Sequence, residues 1–121
     1  MTHKPLAFIV EDEPQLNQLF GVTLRKDFEL LQLYDGDEAL RELARRVPDL
    51  ILLDMNLPGA PGAKILERVR ADERFARTRV ILATADALQA AALEQQADLV
   101  LLKPISPAQL QELASRVVSR G

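Results

Sequence analysis

Residues 49–59 read Asp-Leu-Ile-Leu-Leu-Asp-Met-Asn-Leu-Pro-Gly, and this stretch constrains the fold more than any other. Four large apolar side chains on consecutive positions suit a strand covered on both faces, which is the signature of a parallel sheet. Pro58 and Gly59 forbid an immediate helix, so the strand ends on the carboxylate of Asp54 and opens into a loop. In open α/β sheets, ligands bind outside the carboxyl ends of the strands. Asp54 therefore stands where chemistry is expected, although a loop aspartate capping the next helix has the same local appearance.

The remaining apolar runs fall into step with this one. Residues 6–10 read as a first strand ending on Glu11-Asp12-Glu13. Pro14 fits an early helical position, and Leu16, Leu19, Phe20, Thr23 and Leu24 share one face of the helix that follows. Residues 28–33 read as the second strand, with Asp35-Gly36 as its exit turn. Asp37 can cap a helix with Leu40, Leu43, Ala44 and Val47 inward, stopped by Pro48. After the third strand a helix begins near residues 61–63, with Ile65, Leu66 and Val69 inward. Residues 80–83 form a fourth strand running into Thr84-Ala85-Asp86, and residues 87–96 an Ala-rich helix. Residues 99–102 form a fifth strand ending on Lys103-Pro104. Ser106 caps the last helix, with Pro107 at its first position and Leu110, Leu113, Ala114, Val117 and Val118 as its buried stripe.

The pattern is strand-then-helix five times over 121 residues, with no linker or repeat. Right-handed crossovers make it one domain spanning residues 1–121: a single doubly wound, five-stranded parallel α/β sheet, (βα)5, of the flavodoxin-like order 2-1-3-4-5. No glycine-rich dinucleotide fingerprint follows the first strand, and no phosphate-binding loop motif occurs. The chain contains no cysteine and a single histidine at its start, which excludes thiolate chemistry, a His-based triad and a multi-His metal site. A net charge of −3 argues against general nucleic-acid binding, and the basic residues of 64–79 read as a solvated face. The N-terminal residues contain no signal-like apolar segment, so the expectation is a cytoplasmic chain without a membrane span.

Four strand ends carry polar groups: Glu11 and Asp12, then Asp54, Thr84 and Lys103. In a parallel sheet these share one edge. Three converging carboxylates raise one another's pKa unless a cation sits among them, and an all-oxygen site suits Mg²⁺. Lys103, after a run of apolar residues, needs an anion beside it; a Lys103–Asp54 pair that only fixes loops meets the same need. Thr84 has an ordinary reading too, as a β-branched strand residue. Taken together, a nucleophilic carboxylate, a metal, a hydroxyl and a lysine suit a phosphoryl group on Asp54.

At this point the sequence resembles the receiver domain of two-component response regulators. The likeness spans the chain and rests on Val10-Glu11-Asp12-Glu13, on residues 54–59 with Gly62, on Ala83-Thr84-Ala85, and on Lys103-Pro104. It implies that Asp54 is the phosphoacceptor, served by the phosphohistidine of a histidine kinase or phosphotransfer protein. It implies Mg²⁺ held by Asp12 directly, by Glu11 through water, by Asp54, and by the backbone carbonyl of Asn56. Lys103 would pair with phosphoryl oxygens, Thr84 would move in to hydrogen-bond them, and the Lys103-Pro104 bond would be cis. Such a module switches a partner-binding surface and is not an enzyme acting on a separate substrate.

Two positions depart from the family's pattern. Val100 stands three residues before Lys103, where an aromatic switch residue is usual. Asp98-Leu99 replaces the Asp-Asp pair of the winged-helix regulators, so the charged dimer contact typical of that group is not expected. Ala90, Leu93, Leu99 and Leu101 give the face of the fourth helix, fifth strand and fifth helix an apolar character, which suits either a homodimer or ordinary core. Two other functions remain in competition. One is a phosphate-independent interaction module on the same fold. The other is a small Mg²⁺-dependent phosphatase of the haloacid-dehalogenase type, which requires an aspartate two residues after the nucleophile, where this chain has Asn56. The sequence ends soon after the fifth helix with no output domain, so the expectation is either action by docking or a segment of a longer regulator.

Overall fold

The computed structural model describes residues 3–119; Met1, Thr2, Arg120 and Gly121 lie outside them. Five parallel strands, β1 (Leu6–Val10), β2 (Glu29–Leu33), β3 (Leu50–Asp54), β4 (Arg79–Thr84) and β5 (Leu99–Leu102), form one sheet in the order β2-β1-β3-β4-β5. Five helices connect or follow them: α1 (Pro14–Leu24), α2 (Gly36–Leu43), α3 (Gly62–Ala71), α4 (Ala87–Leu93) and α5 (Pro107–Ser119). A single 3-10 turn, η1 (Glu73–Phe75), leads from α3 into β4. The (βα)5 order and the flavodoxin-like strand order are those expected from the apolar runs.

The alternation of side chains along each strand builds two cores. Phe8, Val10, Ile51, Leu53, Val80 and Leu82 face one way, against Ala39 and Leu43 of α2 and Ile65, Leu66 and Val69 of α3. Ala7, Ile9, Leu50, Leu52 and Ile81 face the other, against Phe20 and Leu24 of α1 and Leu110 and Ala114 of α5. Every residue of β3 is buried, because it is the central strand and both layers close over it. The register aligns Val10 with Leu53 and Asp54 with Ala83, so the strand ends meet at one edge.

Several expectations need correction. The cap of α2 is Asp35, not Asp37: the Asp35 carboxylate accepts from the Glu38 N–H at 2.7 Å, and the Glu38 carboxylate reaches back to the Tyr34 N–H at 2.8 Å. This reciprocal arrangement satisfies two backbone donors where Asp37 would satisfy fewer. The helix therefore starts early and ends at Leu43, which leaves Ala44 exposed and Val47 46% exposed. Leu19 is 42% exposed, since Phe20 and Leu24 with the small Gly21 already fill the space under α1. Helix α4 stops at Leu93 rather than at residue 96. Of the expected stripe on α5, Leu110, Ala114 and Val117 are buried and Leu113 and Val118 half-buried. The Lys103-Pro104 peptide is cis, as the family resemblance implies.

Two glycines bring the loops to the strand ends. A Cβ at Gly62 would lie 2.6 Å from the Asp54 carbonyl oxygen and 2.7 Å from the Met55 Cα. A Cβ at Gly36 would lie 1.7 Å from the Ala60 carbonyl oxygen. The β3–α3 loop is thus wedged between the start of its own helix and the start of α2, and the Gly36 N–H donates to the Pro58 carbonyl at 3.0 Å.

Candidate functional site

Glu11 follows β1 directly, and its backbone is held from two sides. Its N–H donates to the Leu33 carbonyl at 3.1 Å, and its own carbonyl accepts from the Asn17 side-chain amide at 2.9 Å. The carboxylate is 2% exposed. One oxygen accepts from the Glu13 N–H at 3.0 Å and the other from Lys103 Nζ at 3.0 Å. Asp12, the next residue, is exposed. Asp54 is 4% exposed, and its Oδ1 receives Lys103 Nζ at 3.2 Å and the Asn56 N–H at 3.4 Å. The Lys103 backbone N–H donates to the Thr84 carbonyl at 2.8 Å, which fixes where its side chain sets out.

Glu11, Asp12, Asp54, Asn56, Thr84 and Lys103 line one open cleft of about 480 Å³. The fold therefore brings the six candidate phosphate- and metal-site residues to one cleft. Burial pushes the Glu11 carboxyl above its ordinary value, and the nearby Asp54 charge adds to this; the Glu13 N–H and the Lys103 ammonium pull in the opposite direction without prevailing. Burial by itself would lower the Lys103 pKa. Its hydrogen bond to Glu11 and the charges of Asp54 and Glu11 outweigh that, so the ammonium is raised and firmly charged.

The acids can be tested against a divalent cation. Glu11, Asp12 and Asp54 each offer an oxygen, and these atoms lie within 4.8 Å of one another. Octahedral Mg²⁺ with metal–oxygen distances of about 2.0–2.1 Å spans at most about 4.2 Å between opposite ligands, so the three oxygens lie close to the spread that such an ion bridges. Both Glu11 oxygens already accept a hydrogen bond, whereas Asp12 is free toward solvent. The all-oxygen donor set of Glu11, Asp12 and Asp54 thus fits a hard divalent cation.

Thr84 is buried at the end of β4, with its hydroxyl directed toward α4 rather than Asp54. It donates to the Gln89 side-chain oxygen at 2.6 Å and accepts from the Asp86 N–H at 3.1 Å. Val100 is half-buried, aligned with Leu82, and lines a groove with Ala90, Leu102 and Ile105. Asp98 is engaged at the opposite edge of the sheet by the Val80 N–H at 2.7 Å and by Arg70 and Arg79. Two residues of the site were not legible in the sequence. Asn17 is buried with Phe20 and Leu24 on the inner face of α1, and its standing three residues before Phe20 is the one cue in the sequence. Gln89 carries no cue beyond standing five residues after Thr84.

A carboxylate-lined cleft with one lysine, at the switch point of a flavodoxin-like sheet, places the chain among doubly wound α/β modules with an acidic site at the strand ends. The family model for the response regulator receiver domain matches residues 7–115, and the chain belongs to that family. It is 36% identical over 117 residues to the transcriptional regulatory protein BaeR of Escherichia coli, covering 93% of this chain and 46% of that protein. It is 32% identical over 120 residues to the hybrid signal transduction histidine kinase D of Dictyostelium discoideum, covering 97% of this chain and 8% of the kinase. The chain thus spans about half or less of these relatives. Among solved structures it superimposes on the receiver domain of the sensor histidine kinase PA1611 from Pseudomonas aeruginosa with a TM-score of 0.85 and 30% identity, covering 96% of this chain and 98% of the other. That receiver holds a magnesium ion in its active-site cleft. The chain is a receiver domain of the kind found in two-component response regulators and histidine kinases. No helix among its described residues is long and apolar enough to cross a membrane.

Proposed function

We propose that residues 1–121 are one receiver domain in which Asp54 takes a phosphoryl group from the phosphohistidine of a histidine kinase or phosphotransfer protein. The observation that carries this reading is Lys103 Nζ, placed 3.0 Å from Glu11 and 3.2 Å from Asp54 beside three converging acids. The Asp54 carboxylate attacks phosphorus, the N–P bond breaks, and the electron pair leaves with the imidazole. Lys103 neutralises the phosphoryl oxygens, and Thr84 donates to one of them after leaving its resting position. Asp12, Asp54, the Asn56 carbonyl and, through water, Glu11 would hold Mg²⁺. The chemistry such an ion supplies when bound is charge neutralisation during transfer.

The acyl phosphate would then bias a surface that a partner reads. Leu88, 84% exposed on α4, and Leu102, 50% exposed on β5, support the α4–β5–α5 face as that surface, toward an output protein or a second copy of the chain. The setting is cytoplasmic and the role is signalling, with no separate substrate turned over. Asn56, standing where a haloacid-dehalogenase phosphatase needs its acid, supports this.

The test is incubation with Mg²⁺ and either acetyl phosphate or beryllofluoride, with Asp54→Asn as control. A stoichiometric adduct that depends on Asp54 is the expected result. Turnover of unrelated phosphomonoesters would instead indicate a phosphatase, and no adduct from any donor would leave a phosphate-independent interaction module.

A further inference from the structure

The Thr84 hydroxyl has one proton, and the structure commits it. Thr84 is 4% exposed, and its proton goes to Gln89 Oε1 at 2.6 Å while its lone pair receives the Asp86 N–H at 3.1 Å. A hydroxyl engaged in this way cannot also donate to a group on Asp54. Gln89 lies in the first turn of α4, and that turn is tied to the same corner, since the Asp86 carboxylate accepts from the Leu88 and Gln89 N–H groups. The neighbouring strand supplies no alternative partner for the hydroxyl: β5 presents Val100 and Leu102 alongside Leu82 and Thr84.

We propose that Gln89 is a positioning residue for phosphoryl capture: its side-chain oxygen holds the Thr84 hydroxyl away from Asp54, and breaking that bond reports the state of Asp54 to α4. The proposal rests on the phosphoacceptor reading and adds to it a route that needs no aromatic residue at Val100. An anionic phosphoryl oxygen is a stronger acceptor than a neutral amide oxygen, so the hydroxyl exchanges partners through a rotamer change. Gln89, on a half-buried position of α4, then loses its donor and turns toward solvent. The first turn of α4 becomes the part of the surface that differs between the two states.

The latch opposes capture, so removing it should help. Gln89→Ala is expected to bind beryllofluoride about fivefold more tightly in the presence of Mg²⁺, the worth of one neutral hydrogen bond. Gln89→Met keeps the length of the side chain and removes the acceptor, and should match it. In a Thr84→Val background, Gln89→Ala should change nothing. The side-chain amide resonance of Gln89 should shift on beryllofluoride addition in the wild type, and should already be shifted in Thr84→Val without it. Wild-type binding with unchanged or weakened affinity in both Gln89 variants overturns the latch and leaves the phosphoacceptor intact. An Asp54-dependent adduct missing from the wild type overturns both.

Discussion

Lys103 Nζ lies 3.2 Å from Asp54 Oδ1, reaching it from β5 past β4 to the end of β3. The same ammonium lies 3.0 Å from Glu11. One cation thus offsets two buried carboxylates. Removing one member of such a set leaves uncompensated buried charge. Lys103→Met is expected to lose about 2–3 kcal/mol of stability in urea unfolding with chelator present. Adding Mg²⁺ should restore part of this, and so should a second change, Asp54→Ala. A Lys103→Met protein as stable as the wild type in chelator would show that Lys103 does not neutralise the pair.

The pH dependence follows from the directions of the two shifts. Folding raises the Glu11 pKa above 4.5, so its ionised form opposes folding at pH values above the folded pKa and stops doing so as pH falls toward 4.5. Without metal, the wild type should therefore lose stability relative to Glu11→Gln as pH rises from 4.5. A constant difference across that range would contradict a raised Glu11 pKa. Lys103 works in the opposite window: its pKa is raised above 10.5, so its contribution is complete below that value and is lost as pH climbs through the folded value.

Gly36 and Gly62 should not tolerate alanine, and to different degrees. The Gly36 Cβ would meet backbone at 1.7 Å and the Gly62 Cβ backbone at 2.6 Å. Overpacking against backbone costs about 1–3 kcal/mol or more, against about 1 kcal/mol gained in helix propensity. Gly36→Ala is expected to lose about 3 kcal/mol and Gly62→Ala about 1–2 kcal/mol. Because the Gly62 neighbour is the Asp54 carbonyl, Gly62→Ala should also reduce thermal stabilisation by Mg²⁺. Equal losses, or a Gly62 variant with unchanged response to Mg²⁺, would contradict this packing.

The strands and the polar edge of the sheet were legible for one reason. A doubly covered parallel strand must be apolar at nearly every position, so the first polar residue after each run marks the strand end, and topology then places all such ends together. Glu11, Asp54 and Lys103 were found in this way. What escaped depends on partners chosen in three dimensions. Asp35 and Asp37 both suit a helix cap, and only the reach of Glu38 back to Tyr34 separates them. Val47 and Leu19 fit a helical period but not the space left under it. The orientation of Thr84 depends on a glutamine in the next helix, and no spacing rule identifies Gln89 as its acceptor.

Asn17 is the last residue whose role the structure defines. It is fully buried, and its amide nitrogen donates to the Glu11 and Leu33 carbonyls, each at 2.9 Å, while its side-chain oxygen accepts from Gln32 at 3.0 Å. It clamps the carboxyl ends of β1 and β2 beside Glu11 and Asp12. Asn17→Ala leaves two buried carbonyls without this donor and should cost about 2–3 kcal/mol. Asn17→Asp should cost more, because it places a carboxylate against two carbonyl oxygens and near Glu11. Loosening the end of β1 also lets Asp12 drift, so in Asn17→Ala the affinity for Mg²⁺, read by titration of backbone amide resonances, should fall severalfold. If Asn17→Asp proves as stable as the wild type, or if Mg²⁺ binds Asn17→Ala unchanged, the clamp does not hold the acids in place.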